Sequence, residues 1–221
     1  MAKRVPDQVG RRSIRLKGYD YSQAGGYYVT VVTIRRECRF GNVAGGEMHL
    51  NVLGKIVQEE WFRSARIRKE IRLFEDEFVV MPNHIHGIVW IDPDTVGADG
   101  VRPNVEGVRP NLAGGVRPEN YAGANHAGAC QAGACHAPLQ RRPRSLGSFV
   151  AGFKASVTGR AGRELNSGDI WQRNYFEHIL RDQADYERIA GYILENPVNW
   201  DKDVENPRKS AGDAAAYRGG G

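Results

Sequence analysis

The hydrophobic pattern of this chain changes period several times, and each change marks an element. Tyr27 to Ile34 (YYVTVVTI) is dense in β-branched and aromatic residues and predicts a partly buried strand. From Leu50 to about Arg72, apolar Val52, Leu53, Ile56, Val57, Phe62, Ala65 and Ile67 recur at mostly helical spacing among charges, predicting an amphipathic helix. Phe74 to Met81 (FEDEFVVM) and His84 to Ile91 (HIHGIVWI) predict two strands joined by a tight turn at Pro82 and Asn83. Residues 146 to 163 predict a second helix, Ile170 to Phe176 a short extended segment, and Gln183 to Glu195 a third helix. That helix is expected to stop before Pro197, because a following proline disfavours α geometry at Asn196.

The pattern breaks between Asp92 and Arg144. GVRPN, GVRPN and GGVRPE recur there, followed by AGANHAGACQAGACHAP. Gly, Ala, Pro and Asn cannot bury enough apolar surface to offset ordering entropy, so disorder is expected. The repeats are also far shorter than a solenoid unit of about 20 residues or more. The expected organisation is a basic leader (1–25), one domain assembled from 26–92 and 145–200, a low-complexity disordered insert (93–144) and a flexible tail (201–221).

Charge narrows the choice of partner. Lysine and arginine outnumber aspartate and glutamate, 31 to 26, and the pI is near 9.2, favouring an anionic partner. Arg11, Arg12, Arg15 and Lys17 cluster, as do Arg63, Arg66, Arg68, Lys69 and Arg72, and Arg141, Arg142 and Arg144. Clusters suit phosphate contacts, although a solvated basic face is the ordinary alternative. Cys38, Cys130 and Cys135 are an odd count without an apolar signal segment, so a disulfide framework is not expected and a reducing cytoplasm is. No stretch approaches the roughly 18 to 20 apolar residues of a membrane span, so no membrane partner is expected.

His84 and His86 begin a strand and are separated by one residue, so both imidazoles face the same way. Two nitrogens alone seldom hold a labile divalent ion, and a His-x-His pair is often merely structural. Asn196, Glu195, His178 and the insert's His126, Cys130, Cys135 and His136 are candidates for a further ligand. The insert group fits no common zinc-finger spacing. Tyr192 and Asn196 are four apart and share a helical face at about 5 to 6 Å, which sets a phenol beside an amide oxygen. Both also have ordinary readings, as a tyrosine at the edge of an apolar arc and as a helix-end residue before proline.

Residues 81–91 (MPNHIHGIVWI) and 169–200 (DIWQRNYFEHILRDQADYERIAGYILENPVNW) resemble the REP-associated tyrosine transposases, single-tyrosine members of the HUH nuclease superfamily. RRSIRLKGYDYSQAGGYYVTVVT and SLGSFVAGFKASVTGR extend the resemblance over about residues 11 to 92 and 145 to 200. It implies a ferredoxin-like α+β fold: an antiparallel sheet carrying the histidines, helices on one face, and the tyrosine helix alongside. It also implies that His84, His86 and Asn196 bind metal and that Tyr192 is the nucleophile. The implied metal is Mg²⁺ or Mn²⁺, and the implied partner is single-stranded DNA that folds into REP-like hairpins. The implied reaction is cleavage and rejoining through a 5′-phosphotyrosine and a free 3′-hydroxyl, by a monomer or a homodimer. The long insert departs from the family's pattern.

Arg15, Lys17, Arg173 and Tyr175 are the candidate DNA contacts, with Trp171 and Phe176 as further aromatics near them that suit stacking or core packing. Two imidazoles and an amide are softer than an ideal Mg²⁺ site, so better activity with Mn²⁺ at limiting metal is expected. Activity is expected to decline below about pH 6.5, the ordinary histidine pKa. The alternatives are a histidine-triad phosphoesterase, disfavoured because position 88 is Ile88, and a catalytically silent domesticated transposase acting as a DNA-binding regulator.

Overall fold

The computed structural model describes Leu16 and residues 19–92 and 144–207. The low-complexity segment 93–143, most of the basic leader with Arg15 and Lys17, and the histidine–cysteine group of the insert all lie outside them. The chain runs β1 (Gly25–Val32), β2 (Gly41–Ala44), β3 (Glu47–Leu50), α1 (Val52–Ile67), β4 (Ile71–Arg72), β5 (Phe78–Val80), β6 (His84–Ile91), α2 (Leu146–Leu165), β7 (Phe176–Ile179) and α3 (Gln183–Glu195). The expected α+β class holds, with a five-stranded antiparallel sheet in the order β4-β6-β1-β7 and β5 also on β6. β2 and β3 form a separate hairpin.

Pleating divides the sheet into two chemically different faces. On one, Tyr27, Val29 and Val31 of β1 and Ile85, Val89 and Ile91 of β6 pack under α1 and α2 in the main apolar core. Trp61 of α1 fills its centre, stacked on Phe78 with ring centroids 4.7 Å apart and edge-on to Phe149 and Phe153 of α2. Gly87 makes room for it, since a Cβ there would lie 2.6 Å from the Trp61 ring. Asn51 caps α1 by accepting from Gly54 N at 2.9 Å, and a Ser145–Ser148 capping box starts α2.

The opposite face carries Tyr28, Thr30, His84, His86, Ile88 and Trp90, and α3 lies across it. Only a small apolar group holds α3 there: Ile189 and Ile193, flanked by Tyr186, against Tyr28, Ile88, Trp90 and Leu180. A buried carboxylate adds to the grip, because Glu77 accepts hydrogen bonds from the Trp90 indole (2.7 Å) and the Tyr186 hydroxyl (2.8 Å). The α1/α2 pair and the tyrosine helix thus sandwich the sheet.

Several boundaries differ from the sequence expectations. The first helix ends at Ile67 instead of about Arg72, because the Arg68 guanidinium turns away to donate to Ser148 Oγ and O of α2, both at 3.0 Å. Only Phe78–Val80 of the FEDEFVVM segment is strand, since the turn Glu75–Glu77 inserts the Glu77 carboxylate beneath α3. The expected extended segment at Ile170 to Phe176 makes one bridge, Thr33 to Trp171, and the strand proper is Phe176–Ile179. The leader joins the fold before residue 25: Tyr19 and Tyr21 pack with Tyr27, and Leu146 N donates to Tyr21 O at 2.9 Å.

Two corrections concern the end of α3. Asn196 keeps helical backbone angles (φ −58, ψ −42) despite the following proline, and its side chain is held in the interior. The packed body also runs past residue 200 to Pro207, where the expectation was a flexible tail. A 3-10 turn at Trp200–Lys202 brings Asp203 and Asn206 inward, and both are buried.

Candidate functional site

β6 supplies the first two side chains of the site. His84 and His86 sit at 0% and 3% exposure on the α3 face, and their Nε2 atoms lie 2.9 Å apart. Their outer nitrogens are both engaged. His84 Nδ1 meets Asn83 Oδ1 at 2.8 Å, while His86 Nδ1 meets Tyr28 Oη at 2.7 Å and Thr30 Oγ1 at 2.9 Å. Held from behind, both rings turn their Nε2 edges to the same point.

The third side chain comes from beyond the region that the sequence marked as structured. Asp203 brings Oδ2 to 3.8 Å from His84 Nε2, and one donor atom from each of His84, His86 and Asp203 falls within 4.8 Å of the other two. Asn196 donates from Nδ2 to the same Asp203 oxygen at 3.0 Å, while its own Oδ1 is buried and accepts nothing. A buried carbonyl oxygen without a donor is costly unless a cation or water completes it. Two imidazole nitrogens, a carboxylate and this amide oxygen fit a divalent ion on donor type and convergence.

Tyr192 stands at the mouth of the cluster. Its hydroxyl is 3.4 Å from both His86 Nε2 and Asp203 Oδ2, and the residue is 43% exposed. The helical spacing that predicted a shared face for Tyr192 and Asn196 therefore brings phenol and amide to one carboxylate. The remaining candidates lie elsewhere. His178 pairs with Asp185 at 2.7 Å, Tyr175 packs against the α1/α2 core, and Arg173 is exposed on the loop before β7. Trp171 is in the core beside Phe40 and Phe153, whereas Phe176 is exposed next to Tyr28 on the histidine face.

Sequence reasoning missed Asp203. The signal available was weak: an acidic residue seven positions after Asn196, beyond a proline and outside any periodic element.

The electrostatics follow from burial. His84 is pushed down to about 3 by burial and then by the Arg36 charge. His86 is lowered by burial and by His84, with Asp203 opposing. Both rings are therefore neutral donors over the whole physiological range, and the expected loss of metal-competent imidazole near pH 6.5 moves to more acid pH. Tyr192 is raised to about 12 by burial and the nearby Asp203 charge, with Asn196 pulling the other way. Its phenol stays protonated at neutral pH unless a cation or a proton acceptor assists.

No protein-family model matches the chain. It is 36% identical over 193 residues to an uncharacterized protein of Haemophilus influenzae, covering 87% of this chain and 91% of that one. Among solved structures it is similar to a REP-associated tyrosine transposase bound to a REP hairpin. That likeness has a TM-score of 0.48 and 18% identity over 85% of this chain and 74% of the other. It is also similar to a transposase described from Deinococcus radiodurans, with a TM-score of 0.40 and 13% identity over 81% of this chain and 94% of the other.

Proposed function

The chain belongs to the same family as the Haemophilus influenzae protein, and we propose that it is a metal-dependent tyrosine transposase, a single-stranded DNA endonuclease and strand transferase. The observation that carries this reading is the Tyr192 hydroxyl at 3.4 Å from both a histidine and a carboxylate of one buried donor cluster. A phenol so placed is a nucleophile at a phosphate-activating site. The sequence resemblance across both motif regions supports DNA with REP-like hairpins as the substrate.

His84, His86, Asp203 and Asn196 would hold Mg²⁺ or Mn²⁺, and the ion would supply charge to polarise the scissile phosphate. The carboxylate makes the donor set harder than two imidazoles and an amide alone, which suits either metal. Tyr192 oxygen attacks phosphorus, and the bond from phosphorus to the 3′ oxygen breaks. The products are a 5′-phosphotyrosine and a 3′ oxygen that takes up a proton. The phenol's proton has an acceptor at hand in Asp203 Oδ2. In the reverse direction a 3′-hydroxyl attacks the phosphotyrosine, so joining needs no external energy source. Phe176, exposed beside Tyr28, is placed to stack a base near the reacting strand.

The test mixes purified protein with hairpin-bearing single-stranded DNA and Mn²⁺ and looks for a denaturation-resistant adduct. The wild type is expected to form one and Tyr192→Phe to form none. An adduct that persists in Tyr192→Phe removes Tyr192 as the nucleophile. Absence of an adduct on any hairpin in a library, with binding retained, would favour a silent DNA-binding regulator.

A further inference from the structure

We propose that Asn83 is a positioning residue that locks His84 into the Nδ1–H tautomer and ties it to the segment carrying Asp203. The inference deepens the metal-dependent reading above and rests on it for its consequence, though not for its geometry.

Asn83 is fully buried, so each of its polar atoms must find a protein partner. Its Nδ2 faces two backbone carbonyls, Arg36 O at 3.0 Å and Glu205 O at 2.7 Å. Only an NH₂ group can satisfy two carbonyls, so the amide cannot be flipped and Oδ1 must face His84. Oδ1 only accepts, and it lies 2.8 Å from His84 Nδ1. The proton of neutral His84 is therefore on Nδ1, and the Nε2 lone pair faces the donor cluster. His86 is not fixed in this way. Its Nδ1 meets two hydroxyls, Tyr28 and Thr30, and a hydroxyl either donates or accepts.

The second tie concerns assembly. Glu205 O is held by Asn83, and Glu205 N donates to Asp203 Oδ1 at 2.6 Å. The Arg36 side chain pairs with Glu205 at 3.0 Å, so the same two residues brace the segment through backbone and side chain. One buried amide thus sets the lone-pair direction of a ligand on β6 and the depth of a carboxylate some 120 positions later. Partners behind metal-ligating histidines commonly change metal affinity by about 10- to 100-fold when removed.

The experiment records nitrogen-15 imidazole spectra of the full-length, metal-free protein near neutral pH, assigning His84 by its loss in His84→Gln. Mn²⁺ affinity is measured separately from the free-ion paramagnetic resonance signal. Wild-type His84 is expected as the Nδ1–H tautomer. Asn83→Ala is expected to shift it toward Nε2–H and to weaken Mn²⁺ binding about 10- to 100-fold, while Asn83→Asp, which keeps an acceptor, retains the tautomer. An Nε2–H tautomer in the wild type overturns the proposal even if Asn83→Ala does not fold. So does a folded Asn83→Ala with unchanged tautomer and Mn²⁺ affinity. A wild type that binds no Mn²⁺ overturns the proposed metal dependence instead, and the tautomer still decides the role of Asn83.

Discussion

The two faces of the central sheet are made by the same strands and serve opposite ends. On β6, Ile85, Val89 and Ile91 enter a continuous apolar core under α1 and α2, and Gly87 between them admits Trp61. The intervening His84 and His86 enter a polar layer where α3 rests on little more than Ile189, Ile193 and one buried carboxylate. The apolar face can hold the strand rigidly because it carries no chemistry. That rigidity lets the other face bury two histidines, an amide and a carboxylate at fixed separations, an arrangement unfavourable by itself.

Substitutions should separate the faces, the largest effect coming from the polar one. Tyr192→Phe is expected to lower adduct formation at least about 10³-fold, as loss of an essential nucleophile does, with little change in melting temperature because the tyrosine is half-exposed. Asp203→Ala is expected to raise the Mn²⁺ concentration for half-maximal activity by about tenfold or more, with a smaller rise for Asn196→Ala. A metal titration of each variant checks the order, and an unchanged Asp203→Ala would return the third ligand to Asn196 alone. On the apolar face, Trp61→Ala is expected to cost about 3 to 5 kcal/mol by denaturant unfolding. Gly87→Ala should cost about 1 to 3 kcal/mol by overpacking against Trp61. Either substitution should spare Mn²⁺ affinity in whatever fraction remains folded.

The smallest expected effect is on pH dependence. His84 in the unfolded chain takes up a proton near 6.5, whereas in the folded metal-free protein it does so only near 3. Between those values the unfolded state binds more protons, so stability is full above about pH 6.5 and falls as the pH drops toward 3. His86 acts in the same direction. Unfolding curves of metal-free protein between pH 7 and 4 should show this decline, and His84→Gln should flatten it. A decline equally steep in His84→Gln would assign it to other groups.

How legible these features were in the sequence depended on how local their causes are. The histidine strand and all three helices were readable because alternation and 3.6-residue spacing are written into neighbouring residues. The β2–β3 hairpin escaped because its four-residue strands carry few β-branched side chains, despite the Gly45–Gly46 turn between them. Asn196 was readable as a neighbour of Tyr192, but its helical backbone was not, since tertiary contacts with Asp203 overrule the local preference set by Pro197. Asp203 was illegible because its burial is decided by Asn83, Arg36 and Glu205, contacts that no local pattern encodes.

The central claim is that the donor cluster beside Tyr192 binds a divalent ion. Anomalous diffraction from crystals grown with Mn²⁺ tests it most directly. The account predicts a single strong manganese peak about 2.0 to 2.3 Å from His84 Nε2, His86 Nε2 and an Asp203 oxygen. A peak at another location, or none there at saturating Mn²⁺, would contradict it.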